Sequence, residues 1–154
     1  MRWIIWIVLA VAVFALVFAA WVRLAPSDPA AWHRLPEPAE GSGERTGANW
    51  IVIHDRLAGD PAAALAAIDA AARATPRTRV LAGSVEAGMI TYVTRSRLWA
   101  FPDYTTVAVA PAGAAGDPVL TLWARSRFGQ SDLGVNAARA RDWMSALAEG
   151  MLAP

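Results

Sequence analysis

The chain of 154 residues carries 14 arginines, no lysine and 13 acidic residues, for a formal net charge of +1. This length accommodates one membrane segment and one compact domain, since domains commonly hold about 100–150 residues. The near-neutral charge excludes the overall basicity of a nucleic-acid-binding protein. The absence of cysteine excludes disulfides and thiolate metal sites. Two histidines without clustered acidic ligands disfavour zinc, iron and calcium sites, so we expect no metal and no cofactor.

Residues 3–22 form an uncharged apolar stretch that is bracketed by Arg2 and Arg23. At about 1.5 Å per residue, a helix of this length crosses the roughly 30 Å hydrocarbon core of a bilayer. Residues 1–23 are therefore predicted to be a transmembrane anchor, with the lipid bilayer as its partner. Tryptophans near both ends fit the aromatic belts of the two membrane interfaces. They are Trp3, Trp6 and Trp21.

The alternative for this stretch is a cleaved signal peptide, for which Val17 and Ala19 provide a tolerable cleavage motif. The apolar run is longer than a usual signal-peptide core of about 7–15 residues, which favours the anchor. Arg2 favours a cytoplasmic N-terminus, whereas Arg23 and Arg34 weaken the charge difference. A short tail before a long apolar segment is typical of a signal anchor. We therefore expect a single-pass protein of the bacterial inner membrane with its domain in the periplasm.

Residues 24–48 are rich in proline in their first half and in glycine in their second half. This composition favours extended or flexible backbone, so the segment is predicted to be a spacer between the membrane and the domain. Trp32 is the one large aromatic residue in it. Two placements are open for Trp32, either on the domain or at the lipid headgroups.

Residues 49–154 are predicted to form the soluble domain. Its first strand pattern covers residues 49–54, and Asp60 followed by Pro61 then has the N-cap and first-turn residues of a helix that runs to about Ala74. Four further strand patterns come next, with the short glycine-containing connections of a meander. These patterns cover residues 79–85, 89–99, 104–110 and 119–128.

The last helix is predicted to begin near Asn136, a good N-cap residue, and to end before Gly150. The order of elements is then strand, helix, four strands and helix. It predicts an α+β fold, in which a mainly antiparallel sheet of four to five strands carries two helices on one face.

Two of the strand patterns end in paired arginines, Arg95 with Arg97 and Arg125 with Arg127. Alternation along a strand sends residues i and i+2 to the same side, so each pair is expected to project together and the four guanidiniums to converge. Guanidinium groups bind carboxylates and phosphates through paired donors. This arrangement predicts a binding site for an anionic small molecule or an acidic partner surface.

The loop and the helix start that follow the second arginine pair extend this candidate site, because free N–H groups at a helix start attract anions. Asp103 and Asp132 lie in the same stretches and offer another interpretation, in which they form structural ion pairs with the arginines. Both interpretations are open. The residues that join the four arginines in the binding hypothesis are Ser131, Asn136 and Arg139.

The two arginine stretches carry a resemblance to a known family. The later one, Ser126–Arg139, reads Ser-Arg-x-Gly-x-Ser-Asp-x-Gly-x-Asn-x-x-Arg, and the earlier one lies within Arg95–Tyr104. With these motifs and the segment Arg23–His33, the chain resembles the DUF1499 family of small bacterial and plastid proteins. The resemblance covers most of residues 21–150 and implies no known chemistry.

These observations favour a non-enzymatic envelope protein that binds an anionic ligand through an arginine-lined face. A second hypothesis is an accessory subunit of a larger membrane complex, in which the arginine motifs hold the domain together. A third is a hydrolase with an unidentified site. His54 and Asp55 supply a general base and an orienting group by type, but neighbours in a strand point to opposite faces, so no catalytic residue is assigned.

Overall fold

The computed structural model describes residues 2–36, 43–57, 59–110 and 117–152. Within these ranges the chain forms four helices and six strands. In chain order they are α1 Arg2–Leu24, α2 Pro29–Trp32, β1 Gly43–Thr46, β2 Trp50–Arg56, α3 Pro61–Ala74, β3 Thr78–Ser84, β4 Met89–Arg95, β5 Pro102–Ala110, β6 Val119–Ser126 and α4 Val135–Leu152.

The six strands form one antiparallel sheet in the order β1-β2-β6-β5-β4-β3. The α+β class is confirmed, but the prediction of four to five strands was wrong by the edge strand β1. That strand, Gly-Glu-Arg-Thr, is exposed at all four residues and has no apolar alternation. Its pairing with β2 is made by backbone hydrogen bonds, which leave no trace in the hydrophobic pattern.

The two long helices of the domain, α3 and α4, cover one face of the sheet, which we call the helix face. Asp60 caps α3 by accepting from the N–H groups of Ala62 and Ala63 at 3.1 and 3.3 Å. Leu65 and Ile68 on α3 and Trp143 on α4 are buried against the sheet. Apolar burial of this kind is the main stabilising contribution to such a layered domain.

Residues 25–36, which we call the leader, cover the opposite face of the sheet. We call this face the leader face. The Trp32 ring is stacked on Tyr104 of β5 with 3.8 Å between ring centroids. His33 Nδ1 lies 2.9 Å from Thr91 Oγ1, and Ser27 Oγ lies 2.8 Å from the Tyr104 hydroxyl. Of the two placements open for Trp32, the structure has the one on the domain.

Helix α1 is long and apolar enough to cross a membrane, with a mean hydropathy of 2.8 over its most apolar window and none of that window buried. Its last turns contact the domain. The rings of Phe18 and Phe101 lie 6.1 Å apart, and those of Trp21 and Phe128 lie 5.4 Å apart. The leader therefore begins at a helix end that is already held against the sheet.

Substitution of Trp32 tests how firmly the leader belongs to the fold. We expect Trp32→Ala to lower the free energy of unfolding by about 2–4 kcal/mol, because it removes the stacked ring and its buried area. Urea unfolding of the full chain in detergent, followed by near-ultraviolet circular dichroism, measures the change. Trp99→Ala is the control, since this side chain is 41% exposed and should cost little. Equal costs for the two substitutions would contradict the packing of the leader.

Candidate functional site

Arg125, at the end of β6, is the most enclosed arginine of the leader face, with 6% of its surface exposed. Its Nη2 donates to the backbone oxygen of Trp32 at 2.6 Å, and its Nη1 donates to Thr106 Oγ1 at 3.2 Å. The guanidinium carbon lies 3.6 Å from the Trp123 ring centroid and 5.3 Å from that of Trp32. The guanidinium is therefore held between two indoles and tied to the leader backbone.

In the described part of the chain, no carboxylate lies within 4.0 Å of the Arg125 guanidinium, and its hydrogen-bond partners are neutral. The ion pairs found there belong to Arg73, Arg139 and Arg141. Burial, followed by the nearby charge of Arg34, lowers the pKa of Arg125 to about 10, so the group still carries its charge at neutral pH. Buried charges in proteins are ordinarily paired with an opposite charge. The surroundings of Arg125 therefore suit an anion.

A cavity of about 520 Å³ opens beside Arg125 on the leader face, and we call it the arginine–tryptophan cleft. Two strand pairings build it, because β2 places Trp50 opposite Arg125 and β1 places Arg45 opposite Val52. No acidic residue is among the described residues that line it. Its polar and aromatic lining consists of Arg34, Arg45, Asn49, Trp50, Trp123 and Arg125.

Two arginines of this cleft, Arg34 and Arg45, were missed by the sequence analysis. Both lie in the segment that was predicted to be a spacer. Arg34 is held near the sheet by the leader, with its guanidinium carbon 5.7 Å from the Trp123 ring centroid. The one sequence signal for this placement is Trp32, a large aromatic residue in a polar segment. Its ring is partly removed from water by stacking on Tyr104 of the sheet, which holds the leader in place.

The four strand arginines do not converge as predicted. Strand β4 ends at Arg95, and residues 96–101 form a turn, so the strand pattern to Trp99 was too long. Arg95 Nη1 donates to the backbone oxygen of Ala100 at 2.9 Å, and Arg97 is exposed. Arg127 lies beyond the end of β6 and donates to the backbone oxygen of Pro26 at 2.8 Å.

Arg95 and Arg97 instead line a second cavity of about 380 Å³ at another corner of the sheet, which we call the arginine corner. Its other two arginines are Arg77 and Arg79, at the start of β3. Arg77 has a positive φ of 61° and donates through Nε to the backbone oxygen of Arg95 at 3.0 Å. Four arginine residues thus line this cavity, although they are not the four that the sequence analysis grouped.

Arg139 lies on the helix face, away from Arg125. Its Nη2 is 3.6 Å from Asp103 Oδ2 and donates to Asn136 Oδ1, and Asn136 Nδ2 donates to Ser126 Oγ at 2.9 Å. Burial raises the pKa of Asp103, against the opposing effects of Ser126 and Arg139, and burial lowers the pKa of Arg139. These four residues form a buried polar network between β5, β6 and α4, so Asn136 and Arg139 are not placed with Arg125.

The loop before α4 is organised by Asp132. Its Oδ1 accepts from the N–H of Gly134 at 2.9 Å, and its Oδ2 accepts from that of Asn136 at 3.0 Å. Ser131 Oγ accepts from the N–H of Leu133 at 3.2 Å. Asp132 thus occupies the first free donors of the helix, which explains why the predicted N-cap role of Asn136 was wrong. The helix begins at Val135 and continues past the predicted end before Gly150 to Leu152.

The His54 side chain on β2 is held by a hydrogen bond to the neighbouring strand β6. Its Nδ1 lies 3.0 Å from Thr121 Oγ1, and its Nε2 is buried without a hydrogen-bond partner in the described part of the chain. Burial, and then the charge of Arg45, lowers the pKa of His54. His54 lines neither the arginine–tryptophan cleft nor the arginine corner. Among the described residues, no group of three or more His, Asp or Glu side chains is arranged to hold a metal ion.

Comparison with protein-family models identifies a family for this chain. A family model described as "Protein of unknown function (DUF1499)" matches residues 27–147. The matched range begins within the leader and includes the sheet, α3 and most of α4. The leader and the sheet therefore fall within one family unit, as their packing indicates. No curated protein matches the chain.

The buried pair of Asp103 and Arg139 yields a pH-dependent prediction. Arg139→Met leaves the buried carboxylate without its cation, which should cost about 3–5 kcal/mol at pH 7. The pKa of Asp103, already raised by burial, then rises further. A raised folded-state pKa gives stability that is present below the unfolded value of about 4 and is lost as pH rises, so the deficit should shrink on acidification. Urea unfolding of the full chain in detergent at several pH values measures it.

The double variant Asp103→Asn with Arg139→Met is the control for this prediction. It has no carboxyl to protonate, so it should recover part of the lost stability at pH 7 and lack the added pH dependence. The same pH dependence in the single and double variants would show that Asp103 is not the titrating group.

Proposed function

The chain belongs to the DUF1499 family, and we propose that it is a single-pass membrane protein whose α+β domain is a binding module. Its ligand carries a carboxylate or phosphate group and occupies the arginine–tryptophan cleft. The observation that carries the proposal is the buried Arg125 guanidinium, which faces a cleft with two further arginines and no acidic residue among its described lining.

The chemistry of the cleft favours an anion with a planar part. Guanidiniums offer paired donors to carboxylate and phosphate oxygens, and Arg34, Arg45 and Arg125 approach the cleft from the leader, β1 and β6. The indoles of Trp50 and Trp123 provide flat apolar surfaces for stacking. A volume of about 520 Å³ lies within the usual range of roughly 300–1,000 Å³ for small-molecule sites.

The membrane part of the proposal rests on α1. Its 23 residues span about 35 Å as a helix, enough for a hydrocarbon core of roughly 30 Å. Its large apolar side chains from Trp3 to Val17 are 47–71% exposed, as expected for a helix that is surrounded by lipid. Of the two orientations we propose the periplasmic one for the domain, because Arg2 at the other end of α1 favours the cytoplasm.

The surroundings of His54 support a binding module over a hydrolase. A general base needs a nitrogen within hydrogen-bond reach of its substrate. The Nε2 of His54 is buried, and its Nδ1 is held by Thr121. The cleft itself presents donors and aromatic surfaces, which bind and orient an anion without supplying a nucleophile.

Thermal unfolding of the full chain in detergent with inorganic phosphate or citrate as probes tests the cleft. At a concentration ten times its Kd, a ligand stabilises the folded state by about 1.4 kcal/mol, which raises the Tm by roughly 5 °C. We expect one of the probes to produce such a rise in the wild type and Arg45→Gln to reduce it, because this substitution removes one guanidinium from the cleft.

The matched control is Arg56→Gln, which removes an exposed arginine from the far end of β2, outside the cleft. It should keep the full rise in Tm. The same loss of rise in both variants would mean that the probes act through overall charge, and an unchanged rise in Arg45→Gln would place any binding site elsewhere.

A further inference from the structure

The exposed apolar side chains of the domain are gathered at one end of the sheet. Outside α1 and the leader, all the exposed large apolar residues in the described ranges lie at the start of β2, in the turn between β4 and β5, or between β6 and the start of α4. Leu98 and Leu133 are 72% and 93% exposed. The set consists of Trp50, Leu98, Trp99, Leu133 and Val135.

This end of the sheet is also where α1 attaches. Phe101, in the β4–β5 turn, packs on Phe18 with 6.1 Å between ring centroids, and it lies 5.7 Å from Phe128, which follows β6. Arg23 Nη2 donates to the backbone oxygen of Leu98 at 3.4 Å. The two loops that carry the exposed leucines are therefore held beside the C-terminal end of α1.

The position of these contacts along α1 determines the depth of the loops relative to the bilayer. Phe18 lies six residues before the last residue of α1, about 9 Å below the helix end at 1.5 Å per residue. A helix of about 35 Å extends only roughly 5 Å beyond a hydrocarbon core of about 30 Å. When α1 crosses a bilayer, Phe18 therefore lies close to the boundary between the acyl chains and the headgroups, and the β4–β5 turn that contacts it lies at this boundary.

The arginine corner adjoins the same turn. Arg95 and Arg97 flank its first residue, Ser96, and Arg77 and Arg79 reach it from the start of β3. The cavity of about 380 Å³ between them has no acidic residue among its described lining. Exposed leucine and tryptophan side chains insert at the boundary of the acyl chains, and neighbouring arginines attract phosphate groups. The two together are typical of a protein surface that binds a membrane interface.

From this placement we infer that this end of the domain is a membrane-contact surface. Leu98, Trp99 and Leu133 enter the headgroup region, and the arginine corner binds the phosphate groups of anionic phospholipids. The inference rests on the membrane placement of α1 and goes beyond the proposed function, because none of the residues assigned here to the bilayer lines the arginine–tryptophan cleft. It fixes the orientation of the domain against the bilayer, which a tether alone does not.

The chain has no cysteine, so a single label tests the contact in the full-length protein. Leu98→Cys, coupled to a thiol-reactive fluorophore, is reconstituted into vesicles that contain phospholipids with a nitroxide quencher near the headgroup. We expect strong quenching at position 98. The control is Ala87→Cys, in the exposed turn at the opposite end of the sheet, which should be quenched weakly. Equal quenching at the two positions overturns the membrane contact.

The lipid specificity is tested in the same vesicles, made of phosphatidylcholine and phosphatidylglycerol, with the nitroxide on one lipid or the other. The label at position 98 should be quenched more by labelled phosphatidylglycerol. Arg97→Gln should lower this preference by up to about fivefold, the value of one arginine at an anionic surface. Arg56→Gln, which removes an exposed arginine at the distal end of β2, should leave it unchanged. No preference, or the same loss in both variants, overturns the phosphate assignment.

Discussion

The buried guanidinium of Arg125 is the group on which the leader face depends. It joins three parts of the chain, since it lies on Trp123 of its own strand, donates to Thr106 on β5 and donates to the backbone of Trp32 in the leader. Because these partners are neutral, the interaction holds the leader in place without neutralising the charge. The same group thereby orders a segment rich in proline and keeps a cation at the wall of a cleft.

The polar residues of the family motifs lie on both faces of the sheet, in two different environments. On the helix face, Asp103 and Arg139 form a buried network with Ser126 and Asn136, which fits the structural interpretation of Asp103. On the leader face, Arg125 retains an unneutralised charge. Successive side chains of a strand point to opposite faces, so the neighbours Arg125 and Ser126 on β6 lie in these two different environments. The motifs therefore combine a group that fastens α4 to the sheet with a group suited to binding.

The sequence predicted the elements whose signals are local. The apolar length of α1, the Asp60–Pro61 start of α3 and the alternation of the meander strands all appear in the structure. The packing of the leader and the strand β1 were not predicted, because Trp32 stacks on a residue far away in the sequence, Tyr104, and because β1 pairs with β2 through backbone hydrogen bonds alone. The convergence of the four arginines failed since the β4–β5 turn, with Ala100 at a positive φ, ends the strand before Arg97.

Native mass spectrometry of the full chain, extracted from membranes, tests most directly whether the arginine–tryptophan cleft holds an anion. The wild type is predicted to retain a small anionic molecule of constant mass, and Arg45→Gln is predicted to retain less of it. Equal occupancy in the two proteins would contradict the account. So would a wild type that carries no small molecule and is recovered with a stoichiometric protein partner, which would identify an accessory subunit instead.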